Sequence, residues 1–68
     1  MTTLEELKLL IEKCKHAAIA DDDEVAHRRE DQLRWRALEM IAAGAEDSQG
    51  IAELALSTSA FKFSRWYA

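Results

Sequence analysis

Residues 21–24 read Asp-Asp-Asp-Glu, and this acidic stretch separates two segments that have helical periodicity. Aspartate side chains compete with helix continuation, yet they suit the N-cap and first turn of a following helix, where their charge meets the positive end of the helix dipole. A tight turn is therefore predicted near residues 20–22. The segments on either side of it would form an αα-hairpin, which is a pair of antiparallel helices.

The segment before the turn, about residues 3–20, is predicted to be a helix with one apolar face. Thr3 and Glu6 have the spacing of a capping box at its start. Apolar side chains then recur at intervals of three and four residues, which is helical spacing. They are Leu4, Leu7, Ile11, Cys14 and Ala18, with Leu10 and Ala17 widening the same face. Leu9 and Ile19 fall outside it.

The segment after the turn is predicted to be a helix over about residues 23–43, with Gly44 as its C′ residue. One face of this helix should point inward. It comprises Ala26, Glu30, Leu33, Ala37, Met40 and Ile41. Trp35 and Leu38 lie beside that face, and for Trp35 a place in the core and a place in an interface are both open.

A third, shorter helix is predicted over about residues 48–57, capped by Asp47 or Ser48, with Ile51, Leu54, Ala55 and Thr58 on its inner face. The aromatic segment 59–68 alternates as a strand would, but Thr58 could also cap a short helix there. The helix is favoured because a lone strand would have no partner. Residues 1–68 are thus predicted to form one all-α domain: a helical hairpin, a short third helix and an aromatic, helical C-terminal segment.

Composition supports this fold class. The chain has 68 residues, 49 % of them hydrophobic, with two glycines and no proline. It is too apolar for disorder and too poor in turn residues for a β-sandwich or barrel. A chain of this length leaves little material for a concave catalytic site. No apolar run approaches the roughly 20 residues of a membrane span, and a chain with Cys14 as its only cysteine forms no internal disulfide, so a soluble, cytoplasmic protein is predicted.

Enzymatic and metal-binding patterns are weak. Cys14 and His16 are two residues apart and would point in different directions on a helix. Asp23, His27 and Asp31 share one predicted helix face and could ligate a divalent ion. The simpler interpretation is that Asp23 stabilises the helix start while His27 pairs with Asp31 on the surface. No catalytic residue, cofactor or metal site is therefore predicted.

The arginines of the second helix are the main argument for nucleic-acid binding. Arg28 and Arg36 flank Trp35 along one stripe, and arginine with tryptophan suits phosphate contact and base stacking. The net charge of −4 and the interleaved acidic residues make this partner unlikely. A lattice of salt bridges within the helix, Arg34 with Glu30 and Arg28 with Asp31, would explain the same residues without a ligand.

Association with other proteins has the stronger physical basis. A single core in so short a chain supplies little stability, and oligomerisation is a common remedy. The predicted helices also leave apolar and aromatic side chains uncovered. We expect a homodimer formed through Leu7, Leu10 and Ile11 of the first helix, and contact with a partner protein through Arg28, Trp35 and Arg36.

Three short strings carry a resemblance to a group of known proteins. Ala26-His27 with Glu30-Asp31-Gln32-Leu33, the stretch 51–58, and the ending Phe63-Ser64-Arg65-Trp66-Tyr67-Ala68 look like parts of small helical proteins encoded by tailed bacteriophages and prophages of proteobacteria. The resemblance covers about residues 20–68 and carries no catalytic residue. It implies an inhibitor that acts in the host cytoplasm by occluding a host protein, such as a transcription regulator, a quorum-sensing receptor or a defence complex. The alternative is a small nucleic-acid-binding regulator.

Overall fold

The computed structural model describes residues 3–63, and this part of the chain is helical with no strand. Helix α1 spans Thr3–Ile19, α2 spans Asp23–Ala42 and α3 spans Ser48–Ser57, followed by a 3₁₀ turn at Thr58–Ala60. Helices α1 and α2 pack along each other as an antiparallel hairpin. Helix α3 returns against both of them. The predicted all-α fold, a hairpin with a short third helix, is confirmed.

The acidic turn between α1 and α2 forms from two aspartates with different roles. Asp21 adopts a left-handed conformation with φ of +58°. Its amide donates to the carbonyl of Ala18, and the amide of Asp22 donates to the carbonyl of Ala17, which is the Schellman arrangement that ends a helix. The Asp22 carboxylate then accepts from the amide of Val25 at 3.3 Å and caps α2.

The connection between α2 and α3 repeats this chemistry. Gly44 has φ of +88° and follows the last helical turn as its predicted C′ residue. The amides of Gly44 and Ala45 donate to the carbonyls of Ile41 and Met40 in a second Schellman arrangement. Asp47 is the cap of α3, since its carboxylate accepts from the amide of Gly50 at 3.0 Å.

The core lies between the three helices. Its buried members come from each helix and are Leu7, Leu33, Ala37, Met40, Ile51 and Ala55. The inward face predicted for α2 is confirmed from Ala26 to Met40, and Ile41 is half-buried against the core. On α1 the buried residues are Leu7, Cys14 and Ala17, whereas Leu4 is partly exposed. The inner face of α1 is therefore centred on Leu7, Cys14 and Ala17, and Leu4 lies at its edge.

Near the hairpin turn, small side chains let α1 and α2 approach closely. Cys14, Ala17 and Ala26 are buried there. The Cys14 thiol donates to the carbonyl of Ala26 with a sulfur–oxygen distance of 3.4 Å. Cys14 thus behaves as a small core residue that also satisfies a backbone acceptor on the facing helix.

Two local predictions are wrong. Thr3 is already the first residue of α1, and Glu6 faces α2, where Arg36 donates to its carboxylate, so these residues form no capping box. The predicted helix over 59–68 does not continue past Ala60, because Phe61 has extended backbone angles and residues 62–63 have no regular structure. Thr58 is turned into the interior and does not cap a helix there. Residues 64–68 lie outside the described part of the chain.

Asp21 and Gly44 both have positive φ angles, and substitutions at the two positions are expected to change the stability in opposite directions. Gly44→Ala should lower the free energy of unfolding by about 1 kcal/mol, since a Cβ there meets no atom within 4 Å and only the backbone conformation is penalised. Asp21→Gly should raise it by about 0.5 kcal/mol, because glycine adopts this conformation without steric cost. Urea unfolding followed by circular dichroism measures both changes. Equal signs for the two substitutions would contradict this account of the turns.

Candidate interaction surface

Three large exposed apolar side chains lie on the outer side of α2 and on α3, and three more, Leu4, Leu9 and Ile19, are exposed on α1. Trp35 is 69 % exposed, and Leu38 and Leu56 are each 63 % exposed. Trp35 and Leu38 are three residues apart on α2, on the side of the helix that faces away from Leu33 and Met40. We call Trp35, Leu38 and Leu56, with the groove next to them, the apolar face.

The groove of the apolar face lies between α2 and α3 and has a volume of about 280 Å³. Its walls are almost entirely apolar, with a single charged residue at the rim. They include Arg34, Leu38, Ile41, Ala52, Ala55 and Leu56. A second hollow, on the other side of Leu38, is lined by Trp35, Leu38, Glu39 and Ala42. Leu38 is therefore a ridge between the two depressions.

Two arginines of α2 are engaged in ion pairs along the helix. Arg34 pairs with Glu30 at 3.4 Å, as predicted. Arg28 pairs with Glu24 at 3.3 Å, and not with the predicted Asp31. The pairing partner of Arg28 is thus one turn toward the N-terminus of α2, where the acidic turn supplies carboxylates. Arg28 and Glu24 are both mostly exposed, and such surface pairs contribute little stability. Arg34 is partly exposed, and its partner Glu30 is buried.

Arg36 connects the two helices of the hairpin. Its guanidinium donates to the carboxylate of Glu6 on α1, and Glu39 lies 3.9 Å away on α2. The hydrogen bond and the charge of Glu6 raise the pKa of Arg36 above its ordinary value. The positive charge of Arg36 is therefore directed at its own chain, toward α1.

A buried polar pair joins α2 to α3 beneath the surface. Glu30 is 1 % exposed and Thr58 is fully buried, and the Thr58 hydroxyl donates to the Glu30 carboxylate at 2.8 Å. The other carboxylate oxygen faces Arg34. A carboxylate in the interior requires such partners, because burial removes its hydration.

The three residues predicted for self-association do not form a free surface. Leu7 is fully buried in the core of the single chain, so its assignment to a dimer interface is wrong. Its side chain contributes to the cluster that holds the three helices together. Leu10 and Ile11 are half-buried and pack against the same cluster.

The three residues predicted for partner contact are at the surface but differ in availability. Trp35 is largely exposed, which removes the alternative that it belongs to the core. The side chain of Arg28 is also mostly exposed, beside Glu24. Arg36 is held by Glu6, so a substitution of Arg36 would disturb the hairpin as well as the surface.

Two features of this region were not identified from the sequence. Leu56 falls outside the apolar spacing of α3, and this departure was the available signal for its exposure. The contact between Glu30 and Thr58 joins residues 28 positions apart, and both had been placed on inner faces without being paired.

No group of three or more histidine, cysteine, aspartate or glutamate side chains within residues 3–63 could hold a metal ion. His27 lies 3.6 Å from Asp31, which is the predicted pairing along the helix. Across the same residues, every helix falls short of the length and apolar character that crossing a bilayer demands.

Comparison with known protein families, with curated proteins and with solved structures gave no match to this chain.

The buried polar pair leads to a stability prediction. Thr58→Val should lower the free energy of unfolding by about 1–3 kcal/mol, because it removes a hydroxyl donor from a buried carboxylate at nearly constant volume. In a background that carries Glu30→Met, the same substitution should cost less than half as much, because the acceptor is gone. Thermal unfolding of the four chains closes this double-mutant cycle. An equal cost of Thr58→Val in both backgrounds would contradict the pairing.

Proposed function

We propose that this chain is a non-enzymatic protein-interaction module, and that it covers part of another protein with the apolar face. The observation that carries this proposal is the exposure of Leu38 and Leu56 at the groove between α2 and α3, with the exposed Trp35 in the hollow on the other side of Leu38. Exposed apolar patches with a polar rim are typical of interaction sites. Tryptophan is also enriched among the residues that dominate binding energies.

The resemblance to small helical phage proteins supplies a setting for this proposal. In that setting the module would inhibit a host protein in the host cytoplasm by occluding one of its surfaces. Host regulators, quorum-sensing receptors and defence complexes are the target classes. A groove between two helices suits such a target, since it can accept an apolar side chain or an amphipathic helix.

Nucleic-acid binding through the arginines of α2 has weaker support. Arg28, Arg34 and Arg36 each lie against a carboxylate of the same chain, so phosphates would have to compete with these ion pairs. The net charge of −4 also opposes the approach of a polyanion. Binding that weakens steeply and linearly with salt in a log–log plot would favour this alternative.

The proposal predicts that Leu38→Lys abolishes partner binding without unfolding the chain. The side chain is 63 % exposed, so a lysine there costs little stability while placing a charge in the middle of the apolar face. The immobilised chain would be incubated with a lysate of the cells that produce it, and captured proteins would be quantified by mass spectrometry. Circular dichroism would verify that the variant keeps its helices.

Leu9→Lys is the matched control, because Leu9 is a 46 % exposed leucine on α1 outside the apolar face. Proteins that bind the apolar face should be captured by wild type and by this control, and be lost with Leu38→Lys and with Trp35→Ala. A set of captured proteins that is the same for all four chains, or that disappears after nuclease treatment, would rule out the proposed function.

A further inference from the structure

We propose that the groove of the apolar face receives Trp35 of a second copy of this chain, so that two copies associate about a two-fold axis. This inference rests on the proposed function, because it uses the same apolar face, which a second copy would cover in the absence of a foreign partner. It is carried by one juxtaposition: Trp35, the most exposed aromatic side chain of the described residues, lies across Leu38 from an apolar groove that residues 3–63 leave open.

A two-fold interface brings the same patch of both copies together, so the patch must contain a projecting part and a receiving part. The apolar face contains both. Trp35 projects from α2 with 69 % of its surface exposed, and the groove begins on the other side of the Leu38 ridge. A twofold axis that runs along this ridge would exchange the two parts, and every contact would be made twice.

The chemistry of the groove suits an indole ring. Its walls carry the aliphatic side chains of Ile41, Leu38 and Leu56, and two alanines of α3 leave room between them. Aromatic side chains bury large apolar areas and lose little conformational entropy when they become ordered. Trp35 would therefore gain in the groove the burial that it lacks in the single chain.

Charges at the rim are complementary for a second copy. Arg34 lines the groove while it also pairs with Glu30. Glu39 lies beside Trp35 in the hollow on the other side of Leu38, 3.9 Å from Arg36. A contact between Arg34 and Glu39 would therefore extend ion pairs that already exist. When Trp35 of one copy enters the groove of the other, Glu39 approaches Arg34 across the interface. The two-fold axis repeats this attraction, and opposite charges at a rim favour one orientation of the partners.

The other apolar positions are less suited to pairing with themselves. Leu9 and Ile19 lie ten positions apart on α1 and form no common patch. The hollow beside Ile19 is flanked by Lys15 and Lys62, and their like charges would face each other in a two-fold pair. These positions therefore provide controls for the apolar face.

The first experiment measures the mass of the chain as a function of concentration. Sedimentation equilibrium of the wild type should show a reversible monomer–dimer equilibrium. Trp35→Ala and Leu56→Lys should each weaken the dimer by at least about 30-fold, since each removes a central contact twice. Leu9→Lys should leave the dissociation constant within about twofold of wild type. Circular dichroism would establish that all variants keep the same helical content.

A mixing experiment tests the specific contact. Trp35→Ala lacks the projecting part but keeps the groove, whereas Leu56→Lys keeps Trp35 but has a charged groove. An equimolar mixture should therefore associate more tightly than either variant alone, because one of the two contacts is restored in the heterodimer. A tag on one variant gives the heterodimer a distinct mass, so that native mass spectrometry can quantify it. A mixture that associates no better than its components would overturn the insertion of Trp35.

The outcomes separate this inference from the proposed function. A wild-type chain that remains monomeric up to its solubility limit excludes a second copy as the occupant. If Leu38→Lys then still abolishes capture of a foreign protein, the proposed function stands and only the present inference fails. A dimer that is indifferent to Trp35→Ala and Leu56→Lys likewise overturns the inference, because it must form through another surface. If the variants keep both the dimer and the capture of a foreign protein, the inference and the proposed function are both contradicted.

Discussion

The length of α3 constrains the rest of the molecule. Helix α2 has 20 residues and α3 has 10, so at about 1.5 Å per residue α3 covers roughly half of the hairpin. The covered half contains the large core residues, whereas the half near the turn is held by Cys14, Ala17 and Ala26. Small side chains let α1 and α2 approach each other closely there, where α3 does not cover the hairpin. The narrowest dimension, 17 Å, is consistent with this thin packing.

The buried pair of Glu30 and Thr58 lies where α3 ends and the chain turns into its 3₁₀ segment. The apolar contacts of α3 would tolerate small shifts along the hairpin, since hydrophobic packing is not directional. A buried carboxylate is less tolerant, because a shift of α3 would withdraw the Thr58 hydroxyl from it. The polar pair therefore favours one register of α3, and that register fixes which side chains of α3 border the groove.

Much of the fold was predictable because its boundaries depend on local chemistry. Asp22, Gly44 and Asp47 act within a few residues of their own position. The sequence predicts aspartates at the start of α2, Gly44 as its C′ residue, and Asp47 or Ser48 as the cap of α3. The inner face of α2 was predictable for the same reason, since its periodicity has one interpretation. The face of α1 was predicted in part: Leu7, Cys14 and Ala17 are buried as expected, whereas Leu4 is exposed. The periodicity alone does not show that Leu4 lies at the edge of this face, because that depends on how α2 packs against it.

The sequence pattern did not predict the contacts between residues that are far apart in the chain. Glu6 had a plausible local partner in Thr3, yet its carboxylate accepts from Arg36, which is 30 positions away. Thr58 had a plausible local role as a cap, yet it lies inside against Glu30. In both cases the side chain binds a residue on another helix instead of taking the capping role that its neighbours in the sequence suggested. Residues 61–63 are not helical, since Thr58 is not available to start a helix there.

Some features of the candidate surface follow from the spacing of residues within one helix, and others depend on how the helices pack. Trp35 and Leu38 lie beside the predicted inner face of α2, which left both core and interface open for Trp35, and the structure exposes both side chains. Leu56 joins them only because α3 returns antiparallel to α2 in one register. The groove between them also depends on missing volume, since Ala52 and Ala55 are too small to fill the space beside Leu38. The shape offered to a partner is therefore set by these alanines as much as by the large side chains around them.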